Sequence, residues 1–135
     1  MLKLLLLLPS VLLFAFLPQE PAATPEKPAF PADAATLRNP VTPTAESQAR
    51  AKTIYGMDCA ICHGEKGDGK GELVADMQLK MKDLTKPETL RGRPDGELFY
   101  TIKNGDDKVK MPAEGPRAKD AEIWNLIIYM RSFSK

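Results

Sequence analysis

Histidine occurs once in this chain and cysteine twice. A structural zinc site takes four ligands, so three Cys/His residues do not close one. A strong charge of either sign is also missing. The 19 Lys and Arg stand against 18 Asp and Glu, for a net charge of +1, which leaves no electrostatic footprint for nucleic acid. No apolar run reaches the roughly 20 residues that a spanning helix needs. Neither an alternating strand pattern nor an internal repeat is visible. What remains is one all-α domain, since 135 residues leave room for little more.

The N-terminal segment stands apart from that domain. Lys3 supplies a positive charge, and Leu4 to Leu17 is apolar except for Pro9 and Ser10, the length of a signal-peptide core. Residues 1–23 read as a signal peptide. Pro21-Ala22-Ala23 puts proline where a small residue is wanted, so an uncleaved membrane anchor stays open as the other reading. Either way the rest of the chain is expected outside the cytoplasm, in the periplasm, soluble or membrane-tethered. Between residues 18 and 43 fall seven of the 12 prolines, with too few large apolar side chains to offset the entropy of ordering. Residues 24–43 are therefore expected to be a Pro/Ala-rich linker, and 44–135 the folded domain.

Four short helices are expected there. The first takes Thr42 or Thr44 as N-cap and runs through Ala51, Ile54, Tyr55 and Cys59 on one face. A glycine-rich loop, Gly64 to Gly71, follows. A second helix over 72–82 carries Leu73, Met77 and Met81 as core. Asp95 caps a third, with Leu98, Phe99 and Ile102 inward, and Asn104-Gly105 ends it. Asp120 caps the last, whose apolar face holds Ile123, Ile127 and Met130. A core this thin commonly needs a staple or a cofactor.

Both cysteines and the histidine fall in one pentapeptide, Cys59-Ala60-Ile61-Cys62-His63. Two thiols three positions apart at a helix end each add across one vinyl group of a haem. The adjacent imidazole then faces the iron, and this spacing is the attachment signal for haem c. Its chance occurrence in such a chain is on the order of one in a thousand. A dithiol redox motif would sit beside a βαβ pattern, which is missing. A disulfide between these cysteines would close too small a loop to stabilise much. One covalently attached haem c per chain is the expectation, held by Cys59 and Cys62 with His63 as proximal iron ligand.

No second histidine exists to fill the other axial position. Met57, Met77, Met81, Met111 and Met130 are the candidates, unless the site is open. Met57 lies on the attachment helix itself and is poorly placed for the opposite face. Met77, Met81 and Met130 sit at helical spacing, as core residues do. Met111 lies 48 residues after His63 in the irregular stretch Lys108-Val109-Lys110-Met111-Pro112, where Pro112 biases it toward extended backbone. Met111 is the expected distal ligand.

The residues resemble the class I cytochrome c family over most of 47–133. The likeness rests on Ala51, Tyr55, Cys59, Cys62-His63-Gly64, Gly67-Asp68-Gly69, Asp83-Leu84, Asp95-Gly96-Glu97-Leu98-Phe99, Asn104-Gly105, Met111-Pro112 and Trp124 with Tyr129-Met130-Arg131-Ser132. It implies a small cytochrome c-like fold of three to five helices around the haem, the first and last crossing near Ala51, Tyr55, Leu126 and Tyr129. Ala51 stands where the family often has glycine. Ahead of Asp83-Leu84, where relatives present a proline carbonyl to the proximal histidine, this chain has Met81. Its carbonyl is expected to accept the His63 bond, and its side chain makes Met81 the rival distal ligand.

With both axial positions filled by protein, the function expected is single-electron transfer and not catalysis on a substrate. Sulfur ligation and an apolar shell both favour the reduced state. The protein is either an extracytoplasmic carrier or a tethered subunit of a larger oxidase or dehydrogenase. Its partners are redox proteins that the sequence does not name. An open iron site would instead bind gases or act as a weak peroxidase, but no distal histidine or arginine motif supports that. Lys66, Lys70, Lys103, Lys108 and Lys110 are expected to flank the haem opening, interleaved with Asp68, Asp106 and Asp107. Arg91 and Arg93 are candidates to pair with the propionates.

Overall fold

The computed structural model describes residues 30–134; the segment expected to be a signal peptide or anchor, 1–23, lies outside them. The all-α expectation holds. Among the described residues no β-strand forms, and the one isolated bridge joins Asp106 and Met111.

Helix α1 spans Ala45–Ile54, and Thr44 is its cap. Thr44 Oγ1 accepts from Ser47 N at 3.1 Å while Ser47 Oγ accepts from Thr44 N at 2.9 Å, so two backbone N–H groups that the helix leaves unpaired are satisfied reciprocally. The chain runs on through a π turn, Tyr55–Cys59, into α2, Ala60–His63. The single helix expected through Cys59 is thus interrupted. Ala60 N–H reaches back to Tyr55 O across five residues, and Gly56 within the turn weakens the ordinary helical spacing.

Helix α3 covers only Leu73–Asp76, not 72–82. Gln78 takes φ 52, a left-handed conformation that ends the helix and turns Met77 and Met81 out of the core stripe expected of them. A helix that the periodicity missed, α4 at Pro87–Arg91, starts on a proline whose fixed φ suits that position. Helix α5 is Asp95–Asn104 and α6 is Asp120–Arg131. Asp95 and Asp120 lie in the first turns behind Pro94 and Lys119 instead of at the caps, where a carboxylate still meets the positive helix end.

Helices α1 and α6 cross over a cluster of Ala51, Ile54, Tyr55 and Leu126, with Tyr129 against it. Ala51 is 1% exposed, and its small side chain lets the backbones approach. On the other side of α6, Ile123, Trp124 and Ile127 meet Leu98, Phe99 and Ile102 of α5 together with Leu84 and Leu90. Phe99 and Trp124 stack with ring centroids 4.2 Å apart. Asn125, buried on α6, accepts from Ser47 Oγ and Gln48 Nε2 at 2.9 Å each, a polar register mark on the crossing.

Part of the stretch read as a linker lies on the domain. Ala34 is fully buried, Asn39 Nδ2 donates to Trp124 O at 3.1 Å, and Val41 packs on the α5–α6 cluster. A Cβ on Gly96 would collide with the Ala34 carbonyl and Leu37. The strap therefore seats where α5 has no side chain.

Candidate functional site

The elements leave a large apolar cavity of about 790 Å³ between α2, the segment following α3, α5 and α6. That falls within the ~300–1,000 Å³ typical of cofactor sites. Leu73, Leu79, Leu84, Leu98, Ile102 and Leu126 supply apolar wall. Cys59, Cys62 and His63 face it together, and Met77, Met81, Met111 and Met130 line it as well.

Each attachment residue is placed by local bonding. Gly69 N donates to His63 O at 2.8 Å and Gly71 N to Cys62 O at 3.3 Å, so the glycine-rich loop folds back to cap the end of α2. Tyr55 Oη donates to Gly64 O at 2.9 Å and ties the π turn to the same loop. Both cysteines are free and partly exposed. Burial first, then the Glu114 and Asp58 carboxylates, push the Cys59 thiol up to about 12, so the free thiol stays protonated and is not a reactive thiolate. Burial also lowers the His63 pKa, which keeps the imidazole neutral and able to ligate a metal.

The bond expected from His63 to the Met81 carbonyl is not made. His63 Nδ1 is buried and has no hydrogen-bond partner among the described residues. The Met81–Lys82 backbone lies instead against Gly69, with Lys82 O 3.2 Å from where a Gly69 Cβ would stand. The ring nitrogen this carbonyl would have satisfied is thus left without an acceptor among the described residues.

Met111 sits in a closed turn and not an irregular loop. Asp106 N donates to Met111 O at 2.8 Å and Met111 N to Asp106 O at 2.9 Å. Between them runs a 3₁₀ turn, Asp107–Val109, closed by Lys110 in the left-handed region at φ 59. The methionine packs half-buried against the α5–α6 cluster. Met57 is 63% exposed and takes no part in the cavity. Met77 is exposed at the rim, and Met130 bridges both core clusters while reaching the cavity wall.

The charged rim differs from the one expected. Lys108 and Lys110 line the cavity, whereas Lys66 lines a separate open groove beside Tyr129 and Phe133, and Lys103 donates to Asp120 at 2.7 Å. Lys80 and Lys82 line the cavity because α3 ends early. Arg93 reaches it and Arg91 does not. Asp58 from the π turn and the Glu114–Arg117 pair from the segment before α6 also converge on its wall, and no local motif announced their meeting.

Two thiols, a neutral imidazole and thioether sulfurs around an apolar hollow fit a covalently attached haem. They do not suit a bare ion: among the described residues no group of three or more His, Cys, Asp and Glu is arranged to hold one. Residues 46–130 match the family model described as cytochrome c oxidase, cbb3-type, subunit III.

The chain belongs to this family of c-type cytochromes.

Its curated relatives agree. It is 36% identical over 83 residues to the cbb3-type cytochrome c oxidase subunit CcoP of Azospirillum brasilense, covering 62% of this chain and 27% of that one. To the cbb3-type cytochrome c oxidase subunit FixP of Azorhizobium caulinodans it is 37% identical over 91 residues, 67% of this chain and 28% of that one. The match thus spans about a quarter of those relatives' length. A chain of the reducing HAO-like protein complex of Kuenenia stuttgartiensis has a similar fold, with a TM-score of 0.61 at 25% identity over 71% of this chain and 47% of that one. As a c-type cytochrome the protein binds haem c covalently, and its work is haem-based electron transfer.

Proposed function

We propose that this cytochrome is an exported single-haem electron-transfer domain with His/Met ligation. Cys59 and Cys62 form the thioethers, His63 is the proximal ligand, and Met111 is the distal ligand with Met81 as its rival. It acts as a tethered redox subunit, or failing that as a soluble carrier, and not as an enzyme. The observation that most supports this reading is that Cys59, Cys62, His63 and Met111 contribute to one apolar cavity.

Haem supplies a one-electron ferric/ferrous couple. The chain's own residues do the rest. The leucine wall excludes water, which favours the less charged ferrous form. The Asp106–Met111 turn, closed by two backbone hydrogen bonds, would hold the Met111 sulfur toward the bound haem as its distal ligand. The relatives are named as oxidase subunits, which favours a redox subunit over a diffusing carrier, with redox proteins as partners. No helix among the described residues is long and apolar enough to cross a membrane. In this reading the apolar segment before residue 24, left uncleaved, serves as the tether.

The test is to co-express the chain with a haem c maturation system and record oxidised and reduced spectra beside Met111→Ala. Sulfur ligation gives ferric haem a weak red-region band. Loss of that band in the variant assigns Met111. Its survival moves the assignment to Met81 or Met77. A wild type without the band, whose reduced form takes up carbon monoxide, would sink the His/Met reading and favour gas binding or catalysis. Failure to find covalent haem would sink the proposal altogether.

A further inference from the structure

Glu114 is a charged residue only 5% exposed on the wall of the cavity. Its backbone is pinned on both sides. Glu114 N donates to Ile102 O at 2.9 Å, and Arg117 N and Ala118 N return to Glu114 O at 2.9 and 3.0 Å. One carboxylate oxygen, Oε2, accepts from Arg117 Nη2 at 2.5 Å. The other, Oε1, is buried with no hydrogen-bond partner among the described residues, an arrangement a folded protein rarely tolerates without a use for it.

The charges around it do not cancel. Arg117 Nε also lies 3.6 Å from Asp58 Oδ1 on the π turn, so one guanidinium serves two carboxylates. The Arg117 side chain is 47% exposed while that of Glu114 is 7% exposed. Water screens the positive end of the pair far more than the negative end. On α5, the element packed behind Glu114, the Lys103 ammonium is committed to Asp120. The cavity wall next to Cys59 thus carries net negative charge in its least solvated part.

We propose that Glu114 is a potential-setting residue: its buried carboxylate favours ferric over ferrous iron and holds the midpoint potential below what the methionine sulfur and apolar wall alone would set. This rests on the haem reading above. The step it biases is arrival of one electron from a donor protein, with no bond made or broken in the chain and no proton moved. Arg117 is its positioning partner and moderates the charge from the solvent side.

The test is a mediated spectroelectrochemical titration of the full haem-loaded chain at pH 7, comparing wild type with Glu114→Gln and Arg117→Gln. Glu114→Gln keeps the shape and removes the charge. It is expected to raise the midpoint, shifting the reduced-to-oxidised ratio at fixed poise by about tenfold, or 59 mV for one electron. Arg117→Gln is expected to move it the other way, by less, because that side chain is screened. A purely structural ion triple predicts lowered melting temperatures for both variants with the midpoint unmoved or moved in one common direction. That result overturns the proposal. If Glu114→Gln fails to assemble, Arg117→Gln still decides, because an unchanged or raised midpoint refutes it. Wild type without covalent haem would overturn both this inference and the reading beneath it, whereas a haem-loaded wild type with unresponsive variants overturns this one alone.

Discussion

Replacing Gly105 with alanine puts a methyl group where the Met111 turn closes. Gly105 has φ 74 and ψ −175, a region open essentially only to glycine, and forcing another residue there costs on the order of 1–3 kcal/mol. The new Cβ would stand 2.6 Å from Met111 O and 2.8 Å from Ala113 N. Both are backbone atoms, the first of them held by the hydrogen bond from Asp106 N, so neither swings aside as a side-chain end would. Adding displacement to strain gives roughly 2–4 kcal/mol in all. In a domain of this size that lowers the melting temperature by roughly 10–20 °C. Gly92→Ala is the control, because Gly92 has φ −90 and no atom within 4 Å of its Cβ position. It should change stability by less than about 1 kcal/mol. The assay is thermal melting of both haem-loaded variants by circular dichroism, with the red-region band recorded before heating. Gly105→Ala should melt early and weaken the band, while Gly92→Ala keeps both. If Gly105→Ala melts within a few degrees of Gly92→Ala, the reasoning about this turn is wrong.

Arg131 joins the end of α6 to the approach of α5: Nε donates to Asp95 Oδ1 at 2.8 Å, Nη1 to Leu90 O at 3.0 Å and Nη2 to Arg93 O at 2.7 Å. Arg131→Ala should cost about 1.5–3 kcal/mol in urea unfolding, and Arg131→Lys should recover less than half of it, since an ammonium does not reproduce the planar fork. Full recovery by lysine would show that charge alone matters. Glu122 accepts from Lys119 N and pairs with Arg50; the backbone bond first, then the Arg50 bond, hold its carboxyl below the usual range. A lowered folded-state pKa adds stability above the ordinary glutamate value of about 4.3 that is lost as pH falls through the folded value. Glu122→Gln should therefore be less stable than wild type at pH 7, with the gap closing below about pH 4 in denaturant midpoints. A gap that persists into acid would refute that linkage.

The parts of the molecule that were legible beforehand are those whose cause lies within a few residues. Of the two threonines read as caps for α1, Thr44 takes the role, because a hydroxyl before an apolar-periodic stretch satisfies its own helix start. Gly105 ended α5 because no other residue takes its φ readily. The second helix misled because Met77 and Met81 keep helical spacing in sequence, while a left-handed Gln78, which nothing in the pattern signals, breaks the helix between them. The proline and alanine content of residues 24–43 concealed the strap, since Ala34 is buried only through a gap at Gly96, 62 positions further on.

The attachment pentapeptide, the all-helical class and the choice of Met111 as the methionine to suspect followed from order along the chain, because spacing within a turn and a proline's bias are local physics. Only the tertiary structure decided how the charges are grouped. Asp58, Glu114 and Arg117 come from the π turn and from the segment before α6, and Lys80 and Lys82 reach the rim because α3 stops short. Electrostatics depends on distance and solvent exposure, and both are properties of the packed chain.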